Sequence, residues 1–128
     1  MMFTHIMLGS SDTERSRTFY DATMGALGHA PSAAPEGAPR HFYGGFGSGA
    51  LGIGTPANGE ATFANGGTIG LVGKDKDTVD AWYAAGLANG GTCEGPAGPR
   101  PNAPGSSYGA YLRDPDGNKL CAFCQIPG

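Results

Sequence analysis

At 128 residues the chain makes one domain, or two halves of about 60 residues sharing a core, and a multidomain machine is excluded. Eight Lys and Arg against 11 Asp and Glu give a net charge of −3, and the basic residues are scattered rather than striped, which argues against a nucleic-acid groove or an anionic membrane surface as partner. The 24 Gly and 10 Pro bring the composition to the edge of low-complexity disorder, but periodic apolar segments decide against it.

The apolar runs FTHIMLG and TIGLVG fall far short of the roughly 18 residues that span a bilayer, so no membrane segment is expected. The cysteines, Cys93, Cys121 and Cys124, are few and odd in number, and the chain opens MMFTHIMLGSSD without a charged leader or cleavage site. A reducing, cytoplasmic location is the expectation.

An internal repeat organises the sequence. FTHIMLGSSDTERSRTFY from residue 3 and GGTIGLVGKDKDTVDAWY from residue 66 align without a gap at an offset of 63, which sets Ile6 on Ile69, Leu8 on Leu71, Asp12 on Asp75, Phe19 on Trp82 and Tyr20 on Tyr83. Each copy opens with a short alternating strand, residues 3–9 and 67–73. Ile6 and Leu8, or Ile69 and Leu71, share one face, while His5 and Met7, or Thr68 and Gly70, take the other.

A helix follows in each copy. Ser11 or Asp12 caps the first, with Glu14 in its first turn, and Asp75 caps the second, with Asp77. Ser16, Phe19, Tyr20, Thr23 and Met24 form one buried stripe, and Val79, Trp82, Tyr83, Gly86 and Leu87 form its counterpart. Gly25 or Gly28, and Gly90 with Gly91, stop the two helices.

Gly/Pro-rich stretches at 30–40 and 94–107 then lead to paired strand signals: RHFYGGF and ALGIGT in the first half, YGAYLR and NKLCAFC in the second. The last two are joined by DPDGN at 114–118, where Pro115 presets φ and Gly117 supplies a positive one. Each half therefore reads βαβββ, with halves at about 3–54 and 67–125, and each is too small for a core of its own.

A tandem βαβββ repeat that places His5 on its first strand, continues RSRTFYDATMGALG and closes YLRDPDGNKL resembles the vicinal-oxygen-chelate superfamily of glyoxalases, bleomycin-resistance proteins and extradiol dioxygenases. The resemblance covers residues 3–126 as one domain within 1–128 and implies an α+β fold. Its tandem repeats would form a half-open, barrel-like sheet with helices on the outer face. In metal-using members four side chains enter the cavity, one from the first strand and one from the last or near-last strand of each half. His5 matches the first such position. Thr68, Cys121 and a residue at or near Gly52 occupy the other three, so His5 is the only matching metal ligand. The same donors judged by chemistry alone also make a weak site, because catalytic zinc needs about three protein ligands and Mg²⁺ or Mn²⁺ needs carboxylates.

Other motifs carry less. C-A-F-C at 121–124 lies on a strand, so its thiols point to opposite faces and cannot form a redox pair. Cys121 is a candidate nucleophile or a small buried hydrophobe, with no basic neighbour in sequence to activate it. GSGALG at 47–52 matches a dinucleotide fingerprint but precedes no helix. DPDGN lacks the glycine and glutamate spacing of a calcium loop. His29 and His41 flank the first Gly/Pro-rich stretch, where with Phe42, Tyr43 and Phe46 they are candidates for the mouth of an aromatic site or for solvated loop residues.

The expected function is small-molecule binding of the glyoxalase/bleomycin-resistance type without a tightly held metal, in a pocket formed by His5, Met7, Cys121 and Phe123. The alternative is a metal-dependent glyoxalase-like lyase or dioxygenase, in which His5, substrate oxygens and waters hold a labile divalent metal. The expected partners are a small organic ligand and a second copy of the chain in a homodimer that covers sheet edges and apolar surface.

Overall fold

The computed structural model describes residues 2–101 and 106–125. The first half contains β1 (His5–Gly9), α1 (Thr13–Ala26), β2 (Arg40–Gly45) and β3 (Gly49–Gly54). The second contains β4 (Ile69–Val72), α2 (Lys76–Ala88), β5 (Thr92–Pro99), β6 (Ser107–Arg113) and β7 (Lys119–Gln125). Both helices start at the expected caps: the Asp12 carboxylate accepts from the Arg15 N–H at 3.1 Å, and Asp75 accepts from Thr78 at 2.8 Å. Of the expected stop residues, Gly28 at φ 97° and Gly90 at φ 96° take the left-handed position beyond each helix, whereas Gly25 stays inside α1.

The strands form two sheets, ordered β1-β3-β2 and β4-β7-β6-β5. In each half the first strand pairs in parallel with the last, and the hairpin continues outward antiparallel. Met7 pairs with Gly52 in one half as Gly70 pairs with Cys121 in the other. The half-open arrangement expected of this α+β fold is thus built from two open sheets, with no closed barrel among the described residues.

The first half also departs from βαβββ, because no strand forms between α1 and β2. The backbone there is engaged by side chains of α1. Asp21 accepts from the Ser32 N–H at 3.0 Å, Glu14 accepts from the Gly37 N–H at 3.0 Å, and Thr13 Oγ1 donates to the Ala38 carbonyl at 3.0 Å. Prolines at 31, 35 and 39 have no N–H to offer a ladder. His41, fully buried on β2, fastens the same segment from beneath: its Nδ1 shares a hydrogen bond with Ser32 Oγ at 2.7 Å, and its Nε2 lies 3.5 Å from a Glu14 oxygen. It is therefore a strap residue and not part of a ligand mouth. In the second half the expected outer strand does form as β5, paired to β6 through two register shifts. Residues 102–105 of that Gly/Pro-rich stretch lie outside the described residues.

One hydrophobic core joins both helices to one face of each sheet. It contains Phe19, Tyr20, Met24, Leu51, Ile53, Trp82, Leu112 and Leu120, with Ile6, Leu8, Ile69 and Leu71 packed against it. All five residues of the α1 stripe are buried, but in α2 only Val79, Trp82 and Gly86 are, and Leu87 is 44% exposed. At about 100° per residue, Leu87 sits roughly 80° beyond Val79, off the side where Gly86 lets α2 close onto Leu112 and Phe19. The DPDGN turn is anchored to the start of α1, since Asp116 accepts from the Ser11 N–H at 2.9 Å and pairs with Arg15 at 3.1 Å.

Candidate functional site

Strand alternation gives each sheet an inner face toward the helices and an open face away from them. On β7, Leu120, Ala122 and Cys124 belong to the core, which leaves Lys119, Cys121 and Phe123 on the open face. On β1, the core contacts of Ile6 and Leu8 leave His5 and Met7 on the open face, both exposed.

The open face of the first sheet is mainly aromatic and apolar around His5, Met7, Phe42 and Phe46, with Arg40 over Gly54 at its edge. The His5 ring meets the Phe46 ring edge-on at 5.3 Å, and its Nδ1 shares a hydrogen bond with Thr4 Oγ1 at 2.9 Å. Phe46 lies 6.1 Å from Phe42. Met7 and Phe42 close over Gly52 from either side: a Cβ there would stand 2.3 Å from Met7 Sδ and 2.7 Å from Phe42 Cε1. Met7, Phe42 and Phe46 remain 42%, 38% and 58% exposed.

The open face of the second sheet is different in character. Phe123 lies over Gly109 and packs against Tyr111 at 5.7 Å, nearly perpendicular. Lys119 Nζ and the Arg100 guanidinium stand 5.3 and 5.7 Å from the centre of the Tyr111 ring. Cys121 is buried beside Gly70, where an added Cβ would be 3.5 Å from its sulfur. Burial pushes its thiol pKa up, and Lys119 only partly offsets this. That environment suits a small hydrophobe and opposes a nucleophilic thiolate.

Residues of both sheets meet at one cavity. It measures about 110 Å³ and is lined by Met7, Leu8 and Gly9 on one side and by Phe63, Ile69, Asn118 and Lys119 on the other. Met7 and Lys119 thus share a cavity, but His5 and Cys121 do not line it, and each keeps the neighbours of its own sheet. A second, apolar cleft of about 280 Å³ is bordered by Phe3, Ile6, Met24, His29, Tyr43 and the residues of β4. His29 and Tyr43 line this cleft, whereas Phe42 alternates with Tyr43 onto the opposite face.

Sequence reasoning missed Tyr111 and Lys119, and grouped Phe42 with Tyr43 although the two alternate onto opposite faces of β2. The alternation that selects Phe123 would have found the missed pair, since Tyr111 pairs with Cys121 and Lys119 lies two residues before Cys121 on β7. Arg100 has no such signal, because it reaches the Tyr111 ring from beyond the end of β5.

The Glyoxalase/Bleomycin resistance protein/Dioxygenase superfamily model matches residues 2–122. The chain belongs to this superfamily. It is 50% identical to a glyoxalase/bleomycin resistance protein from Albidiferax ferrireducens T118, with a TM-score of 0.88 over 96% of this chain and 98% of that one. A glyoxalase-related enzyme from Fulvimarina pelagi is 24% identical with a TM-score of 0.71, covering 93% of this chain and 84% of that one. A lactoylglutathione lyase from Agrobacterium tumefaciens is 22% identical with a TM-score of 0.62, covering 93% and 90%. These last two likenesses show the shared fold. Among curated proteins none matches the sequence.

The metal that some superfamily members use does not fit the residues present. Thr68 is exposed and precedes β4, Met7 and Phe42 fill the space over Gly52, and the Cys121 thiol is held protonated. Among the described residues no three His, Cys, Asp or Glu side chains gather closely enough to hold a metal ion.

Proposed function

We propose that the chain is a small-molecule-binding member of its superfamily that works without a tightly bound metal. The observation that carries this reading is the replacement at Gly52: where a metal-using relative would need a ligating side chain, two apolar side chains meet over a glycine. An apolar wall with a few convergent polar groups is the usual make-up of a ligand pocket. In this reading His5 orients the ligand by a ring hydrogen bond and Met7 supplies contact area on the open face of the first sheet, while Phe123 and the Cys121 floor belong to the adjoining open face of the second. The exposed Phe3, Met7, Phe42, Phe46 and Val72 support assembly as a homodimer that covers these faces, and three unpaired cysteines fit a cytoplasmic location.

Elemental analysis of the purified protein, with and without added Zn²⁺, Ni²⁺, Mn²⁺ or Fe²⁺, tests the metal claim, and well under one equivalent is expected. A stoichiometric metal lost in His5→Ala would move the assignment to a metal-dependent lyase or dioxygenase. Light scattering at micromolar concentration checks the dimer, and a monomer mass removes that part. A thermal-shift screen of aromatic and thiol compounds should give hits whose affinity falls roughly tenfold in His5→Ala, with the melting temperature of the free protein unchanged.

A further inference from the structure

Within that reading, on which this step rests, we propose that the open face of the second sheet selects a planar organic anion, an aromatic carboxylate in its simplest form. Lys119 and Arg100 would bind the carboxylate, and Tyr111 and Phe123 would take the ring. Three observations converge on this chemistry.

The first is uncompensated charge. Of the cations on this face, Arg113 is paired with Glu94 at 2.9 Å, whereas neither Lys119 nor Arg100 is ion-paired among the described residues. On a chain with net charge −3, two unpaired cations around one ring form a local positive field of the wrong sign for the molecule as a whole.

The second is preorganisation. Arg100 Nη1 donates to the carbonyls of Gly98 at 3.1 Å and Pro99 at 3.3 Å, and Nη2 donates to the Pro96 carbonyl at 2.6 Å. These acceptors are neutral, so they fix the guanidinium without cancelling its charge, and three bonds leave donors free from the five an arginine carries. Gly95 and Gly98 leave room for it, since a Cβ at Gly95 would lie 3.3 Å from Nη2 and 3.4 Å from the Tyr111 ring. A cation already held in place loses little freedom when an anion binds.

The third is the aromatic floor. Tyr111 and Phe123 are half-buried and perpendicular, which leaves ring surface for a flat ligand beside the two cations. Lys119 also lines the cavity that Met7 enters from the other sheet, so an anion held here would lie beside the apolar wall of the first face.

The test compares three probes of one shape, 1-naphthoate, 1-naphthamide and 1-naphthylmethylamine, by calorimetry and by the NMR shifts of the Tyr111 and Phe123 rings. The proposal expects the carboxylate to bind at least tenfold more tightly than the amide and the amine to bind weakest, with the preference shrinking as salt is raised. Lys119→Gln and Arg100→Gln should each remove most of the preference while retaining the wild-type melting curve. Lys119→Arg should keep it, which separates a charge role from a packing role. Equal or tighter binding of the amide or the amine overturns the anion proposal and leaves small-molecule binding standing. Binding of none of the three, with none from the wider screen, overturns both. Carboxylate binding that is unchanged in both glutamine variants places the anion elsewhere and refutes the assignment to this face.

Discussion

The Tyr20 hydroxyl donates to an Asp114 oxygen at 2.6 Å, across 94 residues of sequence and in the buried centre of the molecule. The same carboxyl group accepts from the N–H groups of Asp116 and Asn118 at 2.9 Å each, so a helix residue and the last hairpin turn are set by one side chain. Tyr20→Phe keeps the ring packed but removes a buried donor. It should lower unfolding free energy by about 1–3 kcal/mol. Urea denaturation compares the two, and a midpoint equal to wild type would show that the bond contributes nothing.

Acid should loosen the neighbouring clamp. Burial alone would raise the Asp116 pKa, but hydrogen bonds from the Ser11 side chain and backbone, the Arg15 charge and a bond from Ser16 outweigh it and hold the carboxyl below its ordinary value. A carboxyl depressed in the folded state contributes stability above its unfolded pKa, near 4, and that contribution is lost as pH falls through the folded value. The gap in urea midpoint between wild type and Asp116→Asn should therefore be full at pH 6 and narrow toward pH 3. A gap independent of pH would contradict the assignment.

At the alkaline end the sign reverses. Burial, then the Asp114 charge and hydrogen bond, raise Tyr20 well above the ordinary tyrosine value, and burial with the Asp21 bond raises Tyr43. Both contribute stability that is complete below the unfolded value of about 10 and is lost as pH rises toward the folded values. Phenolate absorbance from Tyr20 and Tyr43 should appear only together with loss of far-UV circular dichroism. Smooth titration of all five tyrosines with the fold intact would refute this.

Gly86 lies where α2 packs closely on α1 and β6, and an added Cβ would lie 2.3 Å from Leu112 Cδ1 and 3.4 Å from Phe19 Cε1. Leu112 and Phe19 are fully buried and have little room to yield. Gly86→Ala should gain up to about 1 kcal/mol of helix propensity yet lose about 1–3 kcal/mol to overpacking, for a net loss of stability. Thermal unfolding decides, and a raised midpoint would mean that the seam can open at small cost.

Local signals in the sequence survive in the fold wherever the decisive partner is close along the chain. Asp12 and Asp75 cap their helices three residues on, Gly117 turns its hairpin at φ 92°, and the alternation of NKLCAFC sends Leu120, Ala122 and Cys124 to the core. The missing outer strand of the first half was illegible because it depends on tertiary capture. Asp21 holds Ser32, whereas Ala84 stands at the equivalent place on α2 and can hold nothing. Open-face neighbours such as Tyr111 and Arg100 depended in the same way on a pairing register and a chain reversal that periodicity does not encode.

The helices are related by an offset of 63 residues, but Gly52 and Cys121, matched by their strand pairing, are 69 apart. The six-residue difference falls between each helix and its hairpin, where one half holds a strap and the other a strand. Length and conformation at the rim differ between the halves, while the parallel pairing of first and last strands keeps the same register in both. The rim is thus a detachable part of the architecture: insertions, deletions or grafted segments there can be absorbed without resetting the inner strands. A designer seeking to reshape this chain would find the greatest freedom at that position.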